Sequence, residues 1–336
     1  MGAGSGAITD LSDRVCYLEP TRATTLPNPV SRAVSEEEYW ALPGWHSTEL
    51  GDAHKLTGRG FVARYPKDAP RQFEPNEAMR QGSLVDCLIT QPSLFDQRYA
   101  IRPDDLPKRP TELQLETGEN SRPGTKARAA WEDAQSREAE WLAWEKESQG
   151  RETVPAGWVE RAEQIQAVLL GDSEVGARLR DASPSCQEGW LWHDPVLGPC
   201  LYKPDLETQS GGLLDLKKSR SANPRMFSRA VLEFCYDLQA SHYQEGFISR
   251  HWGPPTELGW IVYEFEPPFD FALIFPDREL VEHGGKRRHE AFEKITAWRA
   301  TDDLPSYPVT TVSLPAWVKG HEPEPTPLTM DEIKLF

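Results

Sequence analysis

The chain has only five cysteines in 336 residues, Cys16, Cys87, Cys186, Cys200 and Cys235, and no two stand in C-x-x-C spacing. An odd, dispersed set of thiols provides neither a disulfide framework nor a zinc ribbon; reduced thiols in a cytoplasm fit it best. No run of about 18 apolar residues occurs. Met1 to Asp10 lack the basic and apolar regions of a secretory leader, so the expectation is neither secretion nor membrane insertion but a cytoplasmic location. Gly2, Gly4 and Gly6 follow no strand and have the wrong spacing for a nucleotide-binding turn. Basic charge is also scarce: 37 Lys and Arg face 53 Asp and Glu, for a net charge of -16 and a pI near 5.0. That excludes a protein that grips nucleic acid by its whole surface, since phosphate neutralisation needs clustered cations. Any such contact must be local, and bound divalent cations would offset repulsion where carboxylates converge.

What is present suits a globular chain: 38% apolar residues, 27% charged and twelve Trp, more aromatic bulk than a disordered chain carries. The composition and texture predict an irregular segment over 1–45, one large α/β domain over 46–308 with a helical insertion near 110–150, and a Pro-rich extended tail over 309–336. Helical periodicity marks Glu77 to Ile89, where Gly82-Ser83 would allow close packing; Ala127 to Ser148; Val159 to about Leu179; Phe227 to Tyr243; and about Arg287 to Trp298. Strand patterns mark an antiparallel meander through Gly189–Trp192, Cys200–Tyr202 and Leu213–Lys217, then Trp260–Phe265 and Phe271–Phe275.

The chemistry concentrates in the meander. Alternation along Leu213-Leu214-Asp215-Leu216-Lys217 sends Leu214 and Leu216 to one face and Asp215 and Lys217 to the other. Lys203-Pro204-Asp205 ends the preceding strand, and the Gly211-Gly212 turn would fold Asp205 back beside Asp215. Two carboxylates and an ammonium on one surface are what phosphodiester hydrolysis requires: hard oxygen ligands for Mg²⁺, a positioned water, and positive charge facing the transition state. Asp205, Asp215, the Leu216 carbonyl and Glu188 are the candidate ligands, and Lys217 would orient or activate the water. The plain alternative for Asp215 and Lys217 is an exposed, salt-bridged strand face; for Glu188 it is a solvated strand edge.

This arrangement resembles the P-D…D-x-K pattern of the PD-(D/E)XK nuclease superfamily, in its RecE-type (exonuclease VIII-like, RecB-like) branch. Five landmarks occur in order over roughly residues 45 to 308. Gln81-Gly82-Ser83-Leu84-Val85-Asp86 resembles the G-S-L-V-H helix, and Gln187-Glu188 the acidic position before the meander. Lys203-Pro204-Asp205 and Leu214-Asp215-Leu216-Lys217 follow. Leu238-Gln239-Ala240-Ser241-His242-Tyr243 is similar to the L-Q-A-x-x-Y helix.

The resemblance implies an α/β PD-(D/E)XK core, a mixed central sheet flanked by helices. It further implies a double-strand DNA exonuclease that uses Mg²⁺, with Mn²⁺ as a substitute. Such an enzyme degrades the 5′-ended strand from duplex ends, works with a single-strand annealing protein, and assembles as a homo-oligomeric ring. It adds Gln239 and Tyr243 to the candidate catalytic set. Asp86 stands where the family has His, a harder ligand that adds negative charge to a crowded site. That departure keeps open a DNA-binding or assembly protein without turnover, and an endonuclease of the same superfamily is a further alternative. An iron-sulfur nuclease is excluded, because no Cys follows Cys235. Lys218, Ser219, Arg220 and Arg225 follow the catalytic strand and are candidate DNA contacts. The basic run Lys286–His289 reads as ordinary surface. The terminal Glu332–Phe336 loosely resembles the peptides that sliding clamps bind.

Overall fold

The computed structural model describes residues 32–34, 36–66 and 75–311. In chain order come β1 (Arg32–Val34), α1 (Glu36–Ala41), β2 (Trp45–His46), α2 (Ser47–Lys55), α3 (Gly58–Arg64), α4 (Glu77–Thr90) and α5 (Phe95–Arg98). Next are β3 (Tyr99–Arg102), α6 (Glu112–Glu116), α7 (Lys126–Glu147), β4 (Glu152–Pro155), α8 (Ala156–Gly171) and α9 (Ser173–Arg180). The remainder is β5 (Gly189–Asp194), β6 (Gly198–Tyr202), β7 (Leu206–Glu207), β8 (Gly212–Ser219), α10 (Pro224–Glu233), α11 (Tyr236–His251), β9 (Glu257–Glu264), β10 (Phe271–Ile274) and α12 (Arg278–Arg299). The fold is mixed α/β, with sheets flanked by helices. Part of the N-terminal stretch expected to be irregular is therefore regular, since β1 pairs with β5 and β2 with β6. Most of the Pro-rich tail, from 312, lies outside the described residues together with Glu332–Phe336.

The expected meander is divided between two sheets. Strands β5 and β6 belong to a sheet ordered β1-β5-β6-β2, whereas β8 lies in a second sheet ordered β10-β9-β8-β7. The chain changes sheets at Lys203-Pro204-Asp205, where Pro204 has no N–H to continue a ladder. In the second sheet β8 runs parallel to β9 and antiparallel to β7. Leu214 and Leu216 pack with Leu84, Val85 and Leu88 of α4 and Ile165 and Leu169 of α8. On the other face, Trp260 and Val262 of β9 meet Phe227 and Val231 of α10.

Helix α4 begins where the Asn76 side chain accepts from the Met79 N–H at 3.0 Å, a cap for an otherwise orphan donor. Gly82 was expected to allow close packing, but a Cβ there would meet open space. The helix expected over Phe227–Tyr243 breaks in two at Cys235, which sits at φ 61° between α10 and α11. Apolar side chains recur on both sides of the break, so periodicity does not reveal it. Helix α12 starts nine residues before the expected Arg287. Its Gly284 permits close approach to α11, because a Cβ there would overlap the Asp237 carbonyl. Two members of the basic run are also interior: Arg288 is buried against Asp194 at 2.7 Å, and Arg287 pairs with Asp237 at 2.8 Å.

Residues 103–151 leave and return through β3 and β4, which pair in parallel. They carry α6 and the 22-residue α7, of which Ala134 is the buried residue. Helix α7 is held instead by polar ties: Trp131 donates to Leu115 O and Trp141 to Pro107 O, both at 2.8 Å, while Arg109 reaches Glu138 and Glu145.

Candidate active site

The β7–β8 hairpin sets the geometry. Gly211 takes φ 90° in the turn, and Thr208 N–H donates to Gly212 O at 2.9 Å; a side chain at 211 would be strained there. Leu206 then faces Leu214, and continuing that register by one residue sets Asp205 directly opposite Asp215. Cross-strand neighbours of this kind have Cβ atoms roughly 5 Å apart. Leu216 N–H donates to Asp205 Oδ2 at 3.0 Å, and Gln187 Nε2 donates to Asp205 Oδ1 at 2.9 Å. Asp215 Oδ1 accepts from Gln239 Nε2 at 3.3 Å, and its Oδ2 is ion-paired with Lys217 Nζ. The Lys217 ammonium also lies 4.6 Å from the centre of the Tyr236 ring.

Asp86 of α4 completes the cluster. Burial, then the Asp205 and Asp215 charges, push its carboxyl well above the usual range. Burial and Asp215 likewise push Asp205 up to about 7. Burial opposes the charge on Lys217, yet Asp215, Tyr236 and Asp205 together hold its pKa above that of an ordinary lysine. Burial raises the Tyr243 hydroxyl well above its usual value, so it stays protonated.

The donor chemistry fits a hard divalent cation: three carboxylates face one ammonium, and Asp86 Oδ1 is buried without a hydrogen-bond partner. The side chains are not arranged as a finished cage. Among the described residues no three His, Cys, Asp or Glu side chains form a metal-holding group, and Asp205 and Asp215 are closed onto protein donors.

Asp86, Asp205, Asp215, Leu216, Lys217, Gln239 and Tyr243 line one cleft, as do Lys218, Ser219 and Arg220. At about 1900 Å³ it exceeds the few hundred to roughly 1,000 Å³ of a small-molecule pocket. Two candidates stand outside this lining. Glu188 is exposed at the entry to β5, and Arg225 is exposed at the start of α10. Gln187 reaches the site in place of Glu188 because its φ of 63° turns the chain there; a sequence pattern does not encode that turn. Tyr236 was missed for the same reason: only the break at Cys235 delivers its ring to Lys217. Its position three residues before Gln239, on one helical face, was the available signal.

No protein-family model matches the chain, and no curated protein matches it. Among solved structures it is similar to the crystal structure of a "putative exonuclease" from Eubacterium rectale, with a TM-score of 0.50 and 12% identity over 90% of this chain and 98% of that one. At that identity the likeness establishes a shared fold, and the chemistry of this chain has to be argued from its own residues.

Proposed function

We propose that the chain is a Mg²⁺-dependent deoxyribonuclease on a PD-(D/E)XK core of the RecE type. The observation that carries this reading is the hairpin register that opposes Asp205 and Asp215, with Lys217 on the same strand face. Asp86, Asp205, Asp215 and the Leu216 carbonyl would hold the ion. Bound there, Mg²⁺ would supply Lewis-acid polarisation of a phosphate oxygen and a more acidic water. Lys217 keeps its proton beside Asp215, so it acts as a positive charge that orients a water or phosphate rather than as a base. Gln239 fixes the Asp215 carboxylate through Oδ1, and Gln187 fixes Asp205. Tyr243 stays neutral and offers a hydroxyl to the same surface.

The finer reading is exonuclease action from duplex ends, 5′ to 3′, that leaves single strands for an annealing protein. A ring of copies enclosing DNA would confine action to ends and would suit an acidic exterior. A second reading, a DNA-binding protein without turnover, is favoured by the closed state of the carboxylates. One digestion assay separates them. Linear duplex labelled at either end and covalently closed circles are incubated with Mg²⁺, Mn²⁺ or a chelator. Metal-dependent loss of the linear 5′-ended strand with intact circles is expected. Inert wild-type protein would favour the second reading, and equal cutting of circles would make it an endonuclease.

A further inference from the structure

Helix α10 turns one stripe to the cleft: Met226, Arg229, Ala230, Glu233 and, at its C-cap, Phe234. These positions recur at helical spacing; Phe227, which also reaches the cleft lining, and Val231 are buried against β9. Met226 is 52% exposed and Phe234 51%, although both face a charged cleft. Arg229 stands between them in sequence, and neither it nor Arg220 of the same lining pairs with a carboxylate among the described residues. Other arginines of this acidic chain are committed to carboxylates, Arg178 to Glu257 and Arg250 to Glu207 among them.

Isolated exposed apolar side chains need no explanation. Here two flank a guanidinium that pairs with no carboxylate among the described residues, beside the cluster built around Lys217. A paired duplex presents phosphates and base edges, but its base faces are stacked away from any protein side chain. An unpaired strand presents both phosphates and base faces, and grooves that bind one combine cations with stacking side chains. Eight helical residues separate Met226 from Phe234 by about 12 Å along the axis, the length of roughly three stacked nucleotides.

We propose that this face of α10 is a stacking ledge for an unpaired DNA strand entering the candidate active site, with bases on Phe234 and Met226 and phosphates at Arg229 and Arg220. The inference deepens the nuclease reading and rests on it for the position of the reacting phosphate, but strand binding needs no turnover. Fluorescence anisotropy would compare a short labelled oligothymidylate, an abasic strand of equal length and a blunt duplex hairpin, with Ca²⁺ replacing Mg²⁺.

Wild type should bind the oligothymidylate about tenfold or more tighter than the abasic strand. Phe234→Ala and Met226→Ala should each lose about fivefold to tenfold for oligothymidylate while leaving abasic affinity unchanged, which also shows that the variants are folded. Arg229→Ala should weaken both strands alike and flatten the salt dependence. Equal binding of abasic and thymidylate strands, tighter binding of the hairpin, or an unchanged base preference in both apolar variants would overturn the ledge. A retained base preference in wild-type protein that digests no DNA would support the ledge and overturn the nuclease reading.

Discussion

Asp194, Glu207 and Asp237 are each 3% exposed or less, and each meets an arginine: Arg288 at 2.7 Å, Arg250 at 2.6 Å and Arg287 at 2.8 Å. Asp237 gains His283 as well, and Glu207 accepts from the Ser185 and Tyr202 hydroxyls. In the cleft, Asp86, Asp205 and Asp215 crowd around the amine of Lys217, with Lys203 a weaker influence on Asp86. The first set is balanced within the chain, as a buried charge must be to persist. The second set crowds carboxylates where a cleft opens to solvent, and burial together with that crowding makes two of its members hold protons more tightly. Such clusters mark functional sites more often than structural ones.

The largest expected effect breaks the comparison on the functional side. Asp215→Asn and Lys217→Ala should each lower metal-dependent hydrolysis per folded molecule by about 10³-fold or more, measured as initial rates on end-labelled duplex. A rate within a few-fold of wild type would remove these residues from catalysis. Arg288→Met should do the reverse: stability falls by about 3 kcal/mol in urea titration, with the rate per folded molecule retained. That lies at the low end for a broken buried pair, because Arg288 Nε and Nη1 already lack partners.

A smaller effect concerns pH. Asp205 has a folded pKa of about 7, above its unfolded value, so the folded state binds the extra proton between the two. Metal-free stability should therefore fall as pH rises from about 4 to about 7 and then level off. Asp205→Asn should flatten that slope without abolishing it, because Asp86 also holds its proton more tightly, and should gain roughly 1–3 kcal/mol at pH 8; an unchanged slope by chelator-treated thermal melts would show that the acid is not crowded. The smallest effect sharpens the role of the aromatic wall. Tyr236→Leu should lower kcat about fivefold to tenfold with little change in KM, whereas Tyr236→Phe keeps the ring face and stays within about twofold. Equal losses in both variants would point to the hydroxyl instead.

Much of the site was legible because period-two alternation and a Gly turn dictate local geometry: Asp205, Asp215 and Lys217 fall together from Pro204, Gly211 and the strand pattern alone. The helices α4 and α8 were legible from apolar spacing. What escaped the sequence depends on long-range or left-handed backbone. The φ of 63° at Gln187 selects Gln187 over Glu188, and the φ of 61° at Cys235 presents Tyr236. The division of the meander into two sheets and the inward ion pair of Arg288 depend on partners far along the chain, which no local pattern specifies.

If Asp86, Asp205 and Asp215 together form a cation site, Mg²⁺ binding must depend on Asp215. Calorimetric titration of Mg²⁺ into wild-type protein and Asp215→Asn at pH 8 tests it most directly. Saturable binding in the wild type, weakened about tenfold or more in the variant, is the predicted result. Identical isotherms for the two proteins, or no saturable binding in either, would contradict it.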